Sequence, residues 1–315
     1  MLTFHEKTMA LAGSAYMKEP LEAGLVLMNF SFVASSLASV SIHERALEFG
    51  DSLYEVLKVR SGMPLFLESH LERLKNGMRF LAFPELPIER LKASLLELVL
   101  KNALTDGLLY LQVSRGCNPR EHVPPQNLTP TFWAYTMKAD FDGPKERLRG
   151  VRVISRPDPR WMFPSIKTTN LLPNTLAKAE AKGLGADEAL FVGPKGEIRE
   201  ASSANVFFVK KKAVFTPKLT PQILPGITRM ALVKLLGAHG IEAHEADLTL
   251  QEALGMDESF LTATSYDIRP IEALDGNPYA SCGPDTFTAA IMELFEAHIQ
   301  EAVGKGSIDH AREVQ

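Results

Sequence analysis

The chain has 315 residues, 45% of them hydrophobic, a formal net charge of −4 and two cysteines, which is enough for one large or two medium domains with a real core. The slight negative charge gives no general pull toward nucleic acid or an anionic membrane, so any cationic site must be local. Cys117 and Cys282 point away from a disulfide framework, no run reaches the ~18 to 20 apolar residues of a spanning helix, and the N-terminus lacks the basic start and apolar centre of a secretory signal, so a cytoplasmic protein is expected.

Residues 1–24 show no periodicity and read as an N-terminal extension. Short apolar runs from Leu25 to Val40 suggest edge strands, and 52–66 (SLYEVLKVRSGMPLF) alternates about a Ser-Gly turn as a hairpin does. In 67–81, Leu71, Leu74, Met78 and Leu81 recur at helical spacing, with Arg73 off that stripe and Gly77 four residues on, expected to leave room for a ligand. A second amphipathic helix over 89–104 and strands over 108–116 and 131–139 complete a small α+β domain, 25–138. The polar stretch 139–146 is the predicted linker. The larger domain, 147–315, reads as a strand at 151–155, an alanine-rich helix at 174–185, strands at 188–192, 204–209 and 213–216, and a helix at 226–237. Thr249 and Glu252 form a capping box for a short helix, followed by a buried strand at 259–265 and a terminal helix at 285–302.

One stretch holds three chemically distinct parts in order. SIKTTNLLPN (165–174) sets Lys167 among small hydroxylic and amide residues, and REASSANVFF (199–208) puts Glu200 ahead of small polar residues that run into an apolar strand. ILPGITRMALVKLL (223–236) is a glycine-led turn opening a helix, whose first N–H groups and positive dipole end suit an anion. Singly, Lys167 reads as a solvated charge and Glu200 as a routine strand-end charge. Together the parts make an amine, an acidic partner for a ring nitrogen and a phosphate cradle, the set that pyridoxal phosphate needs.

The spacing Glu200, Ser202, Asn205-Val206-Phe207, then Val214-Phe215-Thr216, then Leu224-Pro225-Gly226-Ile227-Thr228-Arg229 resembles the signature of class IV aminotransferases, the fold-type IV pyridoxal phosphate enzymes, and the likeness runs from about Leu25 to about Gly276. The resemblance implies an α+β fold with a small N-terminal α/β domain, a larger C-terminal domain with a β-barrel-like sheet, and the cofactor between them. It aligns Lys167 with the family's Schiff-base lysine, which also moves the substrate proton, Glu200 with the carboxylate that faces the pyridine nitrogen, and Arg73 with the phosphate-binding arginine. Gly226, Ile227, Thr228 and Thr264 match further phosphate contacts, Leu224 the apolar residue against the ring, and Ser203 a pocket serine; no metal is implied. Ala204 and Ala263 depart from the pattern, each standing where a serine is common.

Substrate choice rests on Arg120 and His122, two apart after a strand and so pointing to one side, a cation beside an imidazole that could trap a carboxylate. Alone, Arg-x-His reads as a solvated loop. In context it is similar to the pair that holds the substrate carboxylate in the D-amino-acid transaminase branch of the family, with Tyr54, Tyr110 and Lys58 matching other residues of that pocket. The resemblance implies transfer of an amino group from a D-amino acid to a 2-keto acid such as 2-oxoglutarate or pyruvate by a ping-pong mechanism, in a homodimer whose arginine and histidine reach across from the neighbouring subunit. The alternatives are a branched-chain L-aminotransferase, an aminodeoxychorismate lyase, or a non-catalytic pyridoxal phosphate-binding protein.

Overall fold

The computed structural model describes residues 24–304; residues 1–23 of the expected N-terminal extension and the chain beyond Gly304 lie outside them. The first sheet is built from β1 (Leu25–Met28), β2 (Ser31–Ala34), β3 (Ser52–Arg60), β4 (Met63–Pro64), β5 (Gly107–Ser114) and β6 (Thr131–Lys138). Their order is β2-β1-β6-β5-β3-β4, every neighbour antiparallel. A short helix, α1 (Arg45–Phe49), precedes β3, and α2 (Leu67–Phe80) and α3 (Ile88–Lys101) pack on one face. The two-residue period of β3 explains its two faces: Leu53, Leu57 and Val59 join Leu71, Leu74 and Met78 of α2 and Leu91 and Leu95 of α3 in one core. Each such fully buried leucine is worth about 1.5–3 kcal/mol over an exposed one. Gly77 serves this packing and not a ligand: a Cβ there would meet Leu53 at 3.1 Å and Ile166 at 3.6 Å, so the glycine lets helix and strand approach closely.

The segment 139–146 is held at Asp142 and Glu146. Arg269 grips the Asp142 carboxylate and donates to the Glu146 carbonyl at 3.2 Å, and the stretch ends in α4 (Pro144–Arg147). The second sheet then takes β7 (Val151–Pro157), β8 (Glu188–Val192), β9 (Ile198–Ala201), β10 (Asn205–Lys210), β11 (Ala213–Pro217), β12 (Ala243–Ala246), β13 (Glu258–Ala263) and β14 (Asp267–Leu274) in the order β12-β11-β10-β13-β14-β7-β8-β9, with β15 (Asn277–Pro278) beside β14. Two of the three parallel pairs are joined by helices: α5 (Leu172–Gly183) carries β7 to β8, and α6 (Ile227–Ala238) carries β11 to β12. The sheet curls into a half-barrel, and the Ala201 N–H donating to the Ala204 carbonyl at 2.8 Å draws β9 toward β10. On one side α6 and α8 (Phe287–Gly304) bury Leu232, Leu236, Ile291 and Phe295 against Phe207 and Phe260, whose rings stack 5.0 Å apart. The capping box of Thr249 and Glu252 opens α7 (Leu250–Leu254). Both cysteines are free and exposed, and among the described residues no helix is long and apolar enough to cross a membrane.

Candidate active site

A cleft of about 530 Å³ opens between the two sheets. Lys167 enters it from the loop after β7, and local chemistry fixes that loop. The Tyr54 N–H donates to the Lys167 carbonyl at 3.0 Å, the Ser52 and Thr169 hydroxyls meet at 2.5 Å, and the Asn170 amide donates to the Gly50 carbonyl at 3.3 Å. Gly50 is required there, since its φ of +64° is left-handed and a Cβ would lie 2.3 Å from the Asn170 side chain. The Lys167 amine lies 4.2 Å from the centroid of the Tyr54 ring.

At one end of the cleft the structure gathers anion-binding groups. Arg73 donates from Nε and Nη2 to the two oxygens of Glu55 (2.8 and 2.6 Å) and from Nη1 to the Pro225 carbonyl (2.9 Å). Three of its five N–H groups are thereby used, and two remain for an oxyanion. Glu55 lies on the helix-facing side of β3 and also meets His70 Nδ1 at 2.6 Å. Burial by itself would raise the Glu55 pKa, but Arg73 and His70 outweigh it and hold the carboxyl down at about 2. Beside Arg73, α6 starts at Ile227 behind Gly226, with no side chain bonded to its first-turn N–H groups. A Cβ on Gly226 would stand 2.1 Å from the Asn205 side-chain oxygen, so the glycine is a close approach of two segments.

Also lining the cleft, Glu200 is buried and accepts three hydrogen bonds. Its Oε1 accepts from Arg160 at 2.5 Å, and its Oε2 from the Asn205 amide and the Leu224 N–H, both at 3.1 Å. Three of about four acceptor sites are filled, which leaves one on Oε1. Arg160 is itself held by Asp158 and by the Gln222 carbonyl, and lies 4.6 Å over the Phe191 ring. Burial raises the Glu200 pKa to about 6, against the lowering pull of Arg160. The coenzyme-free chain should therefore lose the Glu200 proton as pH rises through about 6, seen as growth of its carboxylate band in isotope-edited infrared spectra. Arg160→Met, which removes the opposing charge, should move that midpoint higher; a wild-type midpoint at the ordinary glutamate value, or no upward move in the variant, would contradict this.

Ten of the residues singled out in the sequence line this one cleft: Tyr54, Arg73, Lys167, Glu200, Ser203, Leu224, Gly226, Ile227, Thr228 and Thr264. Ala204 and Ala263 line it too. The Ser203 hydroxyl donates to Glu188 at 2.8 Å, beside Ser202, which donates to the same carboxylate. The other four lie elsewhere. Lys58 is buried in an ion pair with Asp267 at 2.5 Å and does not line the cleft. Tyr110 sits one strand over, its hydroxyl donating to Gln112 at 2.8 Å and its ring 6.0 Å from Tyr54 and 4.9 Å from Tyr135. Arg120 and His122 are exposed, with the guanidinium 4.8 Å from the Phe49 ring centroid and the imidazole 5.4 Å from it. The buried Arg45 fastens their loop by donating to the Glu121 and His122 carbonyls at 2.7 and 3.1 Å. Glu55, His70, Arg160 and Arg45 were not singled out in the sequence. For Glu55, His70 and Arg45 the available signal was a polar, ionisable residue at a position where β3, α2 and α1 turn inward; Arg160, in the loop between β7 and α5, offered none.

A lysine, a buried carboxylate and an anion cradle converging on one cleft of an α+β fold define the class as an enzyme. The family "Amino-transferase class IV" matches residues 52–274. The D-alanine aminotransferase of Bacillus licheniformis is 35% identical over 284 residues, spanning 89% of this chain and 99% of that protein. Among solved structures, a branched-chain amino acid aminotransferase from T.th., solved with pyridoxamine 5'-phosphate, superposes with a TM-score of 0.80 at 25% identity over 90% of this chain and 95% of that one. A putative 4-amino-4-deoxychorismate lyase from Legionella pneumophila gives 0.75 at 27% identity over 84% and 96%. The chain belongs to the class IV aminotransferases, a family of pyridoxal phosphate enzymes, and is an enzyme of aminotransferase type.

Proposed function

We propose that the cleft holds pyridoxal 5'-phosphate and that the protein moves the amino group of a D-amino acid to a 2-keto acid, as a homodimer in which each site takes Arg120 and His122 from the neighbouring subunit. The observation that carries the coenzyme reading is the unspent bonding capacity around the cleft: two N–H groups of Arg73, the uncapped start of α6 and one acceptor site on Glu200. A further polar atom, the Thr262 hydroxyl, is buried in the cleft wall with no hydrogen-bond partner among the described residues. Arg73, Ile227, Thr228 and Thr264 would hold the phosphate, Leu224 the ring face and Glu200 the ring nitrogen. When bound, the coenzyme supplies an electron sink that acidifies the substrate α-carbon.

The residues of this chain do the remainder. Lys167, whose amine lies over the Tyr54 ring, would tether the coenzyme and would be placed to take a proton from the substrate α-carbon and return it. Glu200, kept in place by Arg160, Asn205 and the Leu224 N–H, favours the protonated pyridine. For the substrate carboxylate, the fitting donors of this sequence are Arg120 and His122. They do not line the cleft of their own chain, yet Arg45 fixes their backbone, which suits a loop that reaches into a second subunit. The D-specific reading draws on the relative named above as a D-alanine aminotransferase. A branched-chain L-aminotransferase would have no evident use for the pair.

Arg120→Ala should raise KM for D-alanine or D-glutamate about 10- to 100-fold, the loss expected of one charge-assisted hydrogen bond, with the coenzyme spectrum unchanged. Mixing Lys167→Ala with Arg120→Ala chains under exchange should restore activity in heterodimers, since one of their two sites is whole. Proven exchange without recovery would return Arg120 to its own subunit's site or remove it from both.

A further inference from the structure

Strand β3 turns an alternating face toward the cleft: Tyr54, Val56 and Lys58 fall on one side by the two-residue period of a strand. The first two line the cleft, whereas Lys58 is buried beyond its end. There its ammonium meets Asp267 at 2.5 Å and lies 4.3 Å from the centroid of the Phe141 ring. Asp267 pairs with Ala263 and closes the three-residue turn 264–266 between β13 and β14. Its φ is +62°, the left-handed conformation that glycine usually supplies at such a turn. Thr262, Ala263, Thr264 and Ser265, the stem and tip of this hairpin, all line the cleft. One wall of the cleft therefore ends on a left-handed aspartate whose carboxylate, among the described residues, accepts its hydrogen bond from Lys58 of the other sheet.

A buried ion pair contributes little net stability, because desolvating both charges offsets their attraction. Its well-attested gain is geometric: each charge accepts one partner in one place, which fixes register between the elements that carry them. We propose that Lys58 and Asp267 form a latch between the two sheets that fixes the 264–266 turn and with it the anion end of the cleft, which makes Lys58 a positioning residue for coenzyme retention and not a substrate contact. The inference rests on the coenzyme reading given above, but its local part, an ordered hairpin, does not.

Three variants separate the terms. Lys58→Met keeps the aliphatic stem without the charge, Asp267→Asn keeps a side chain tolerant of positive φ, and Asp267→Gly relaxes the backbone while removing the carboxylate. Each is titrated with pyridoxal 5'-phosphate, its coenzyme-free form is followed by hydrogen exchange in peptides covering 262–267, and KM for D-alanine is measured at saturating coenzyme. The latch predicts a coenzyme Kd raised about tenfold or more in every single variant, a double variant no weaker than either single one, faster exchange at 262–267, and KM within about twofold of wild type. Should Lys58→Met fail to fold, the two Asp267 variants carry the same comparison. A raised KM with unchanged coenzyme Kd would make Lys58 a substrate contact and overturn the proposal, as would unchanged exchange at 262–267 or a wild-type Kd and exchange in Asp267→Gly. If the wild-type chain binds no pyridoxal 5'-phosphate, the reading of the site fails, and the latch stands or falls on the exchange result alone.

Discussion

Replacing Lys167 with alanine is expected to leave a folded protein that still takes up pyridoxal 5'-phosphate but transfers amino groups slower by on the order of 10⁴-fold or more, since a placed acid–base side chain supplies about 10²–10⁴ and the covalent tether is lost with it. The fold should survive because the structural bonds at this position run through the backbone, with the Lys167 carbonyl accepting from Tyr54 and the flanking Thr169 and Asn170 side chains holding the loop. What disappears is the amine poised over the Tyr54 ring. In the wild-type chain, borohydride reduction in the presence of pyridoxal 5'-phosphate followed by peptide mapping should place the label on Lys167. A label on another lysine, or a Lys167→Ala chain that turns over at a wild-type rate, would end the assignment.

The largest stability effect should come from Glu55→Gln, about 3–5 kcal/mol, the usual result of taking one charge out of a buried ionic group and leaving its partners behind. Glu55 is enclosed with Arg73 and His70, whose nitrogens lie 2.6–2.8 Å from its oxygens. The pH dependence follows from the same contacts. The carboxyl is held at about 2 in the folded chain against an ordinary 4.5, so its contribution is fully present above about 4.5 and is lost as pH falls through about 2. Urea unfolding of wild type and variant at neutral and at acid pH would show the difference between them shrinking over that window. A loss under about 1 kcal/mol at neutral pH, or a gap that does not narrow in acid, would contradict the buried triad. Because Glu55 also aims the Arg73 guanidinium, the variant should retain coenzyme less well.

The motif-borne part of the site was legible because its residues lie in short, contiguous signals. Lys167 in its hydroxylic loop, Glu200 ahead of β10 and the Gly226 turn into α6 each show their local structure in a few residues, and they line one cleft. The residues that hold them were not legible, because packing, not spacing, makes their partnerships. Glu55 reads as a charge in an otherwise apolar strand until α2 lays His70 and Arg73 over it. Arg160 stands in a loop without periodicity, 40 residues from the Glu200 it supports. Lys58 pairs with a residue 209 positions away, a partnership that no local pattern shows. Strand β14 was missed for a related reason: Pro270 and the charged Arg269 hide it from any alternation test, although the curled sheet pairs it on both sides, with β13 and β7. Gly77 misled in the opposite sense, its missing side chain serving Leu53 and Ile166 of the core and cleft wall.

The central claim is tested most directly by a single-turnover half-reaction. Purified protein loaded with pyridoxal 5'-phosphate is mixed with one amino acid at a time, D-alanine, D-glutamate, L-leucine and L-glutamate, and the absorbance of the bound coenzyme is followed with no keto acid present. Conversion to the pyridoxamine form with the D-amino acids, and with the L-amino acids at least about a hundredfold slower, is the predicted result; conversion by L-leucine but by no D-amino acid would contradict it.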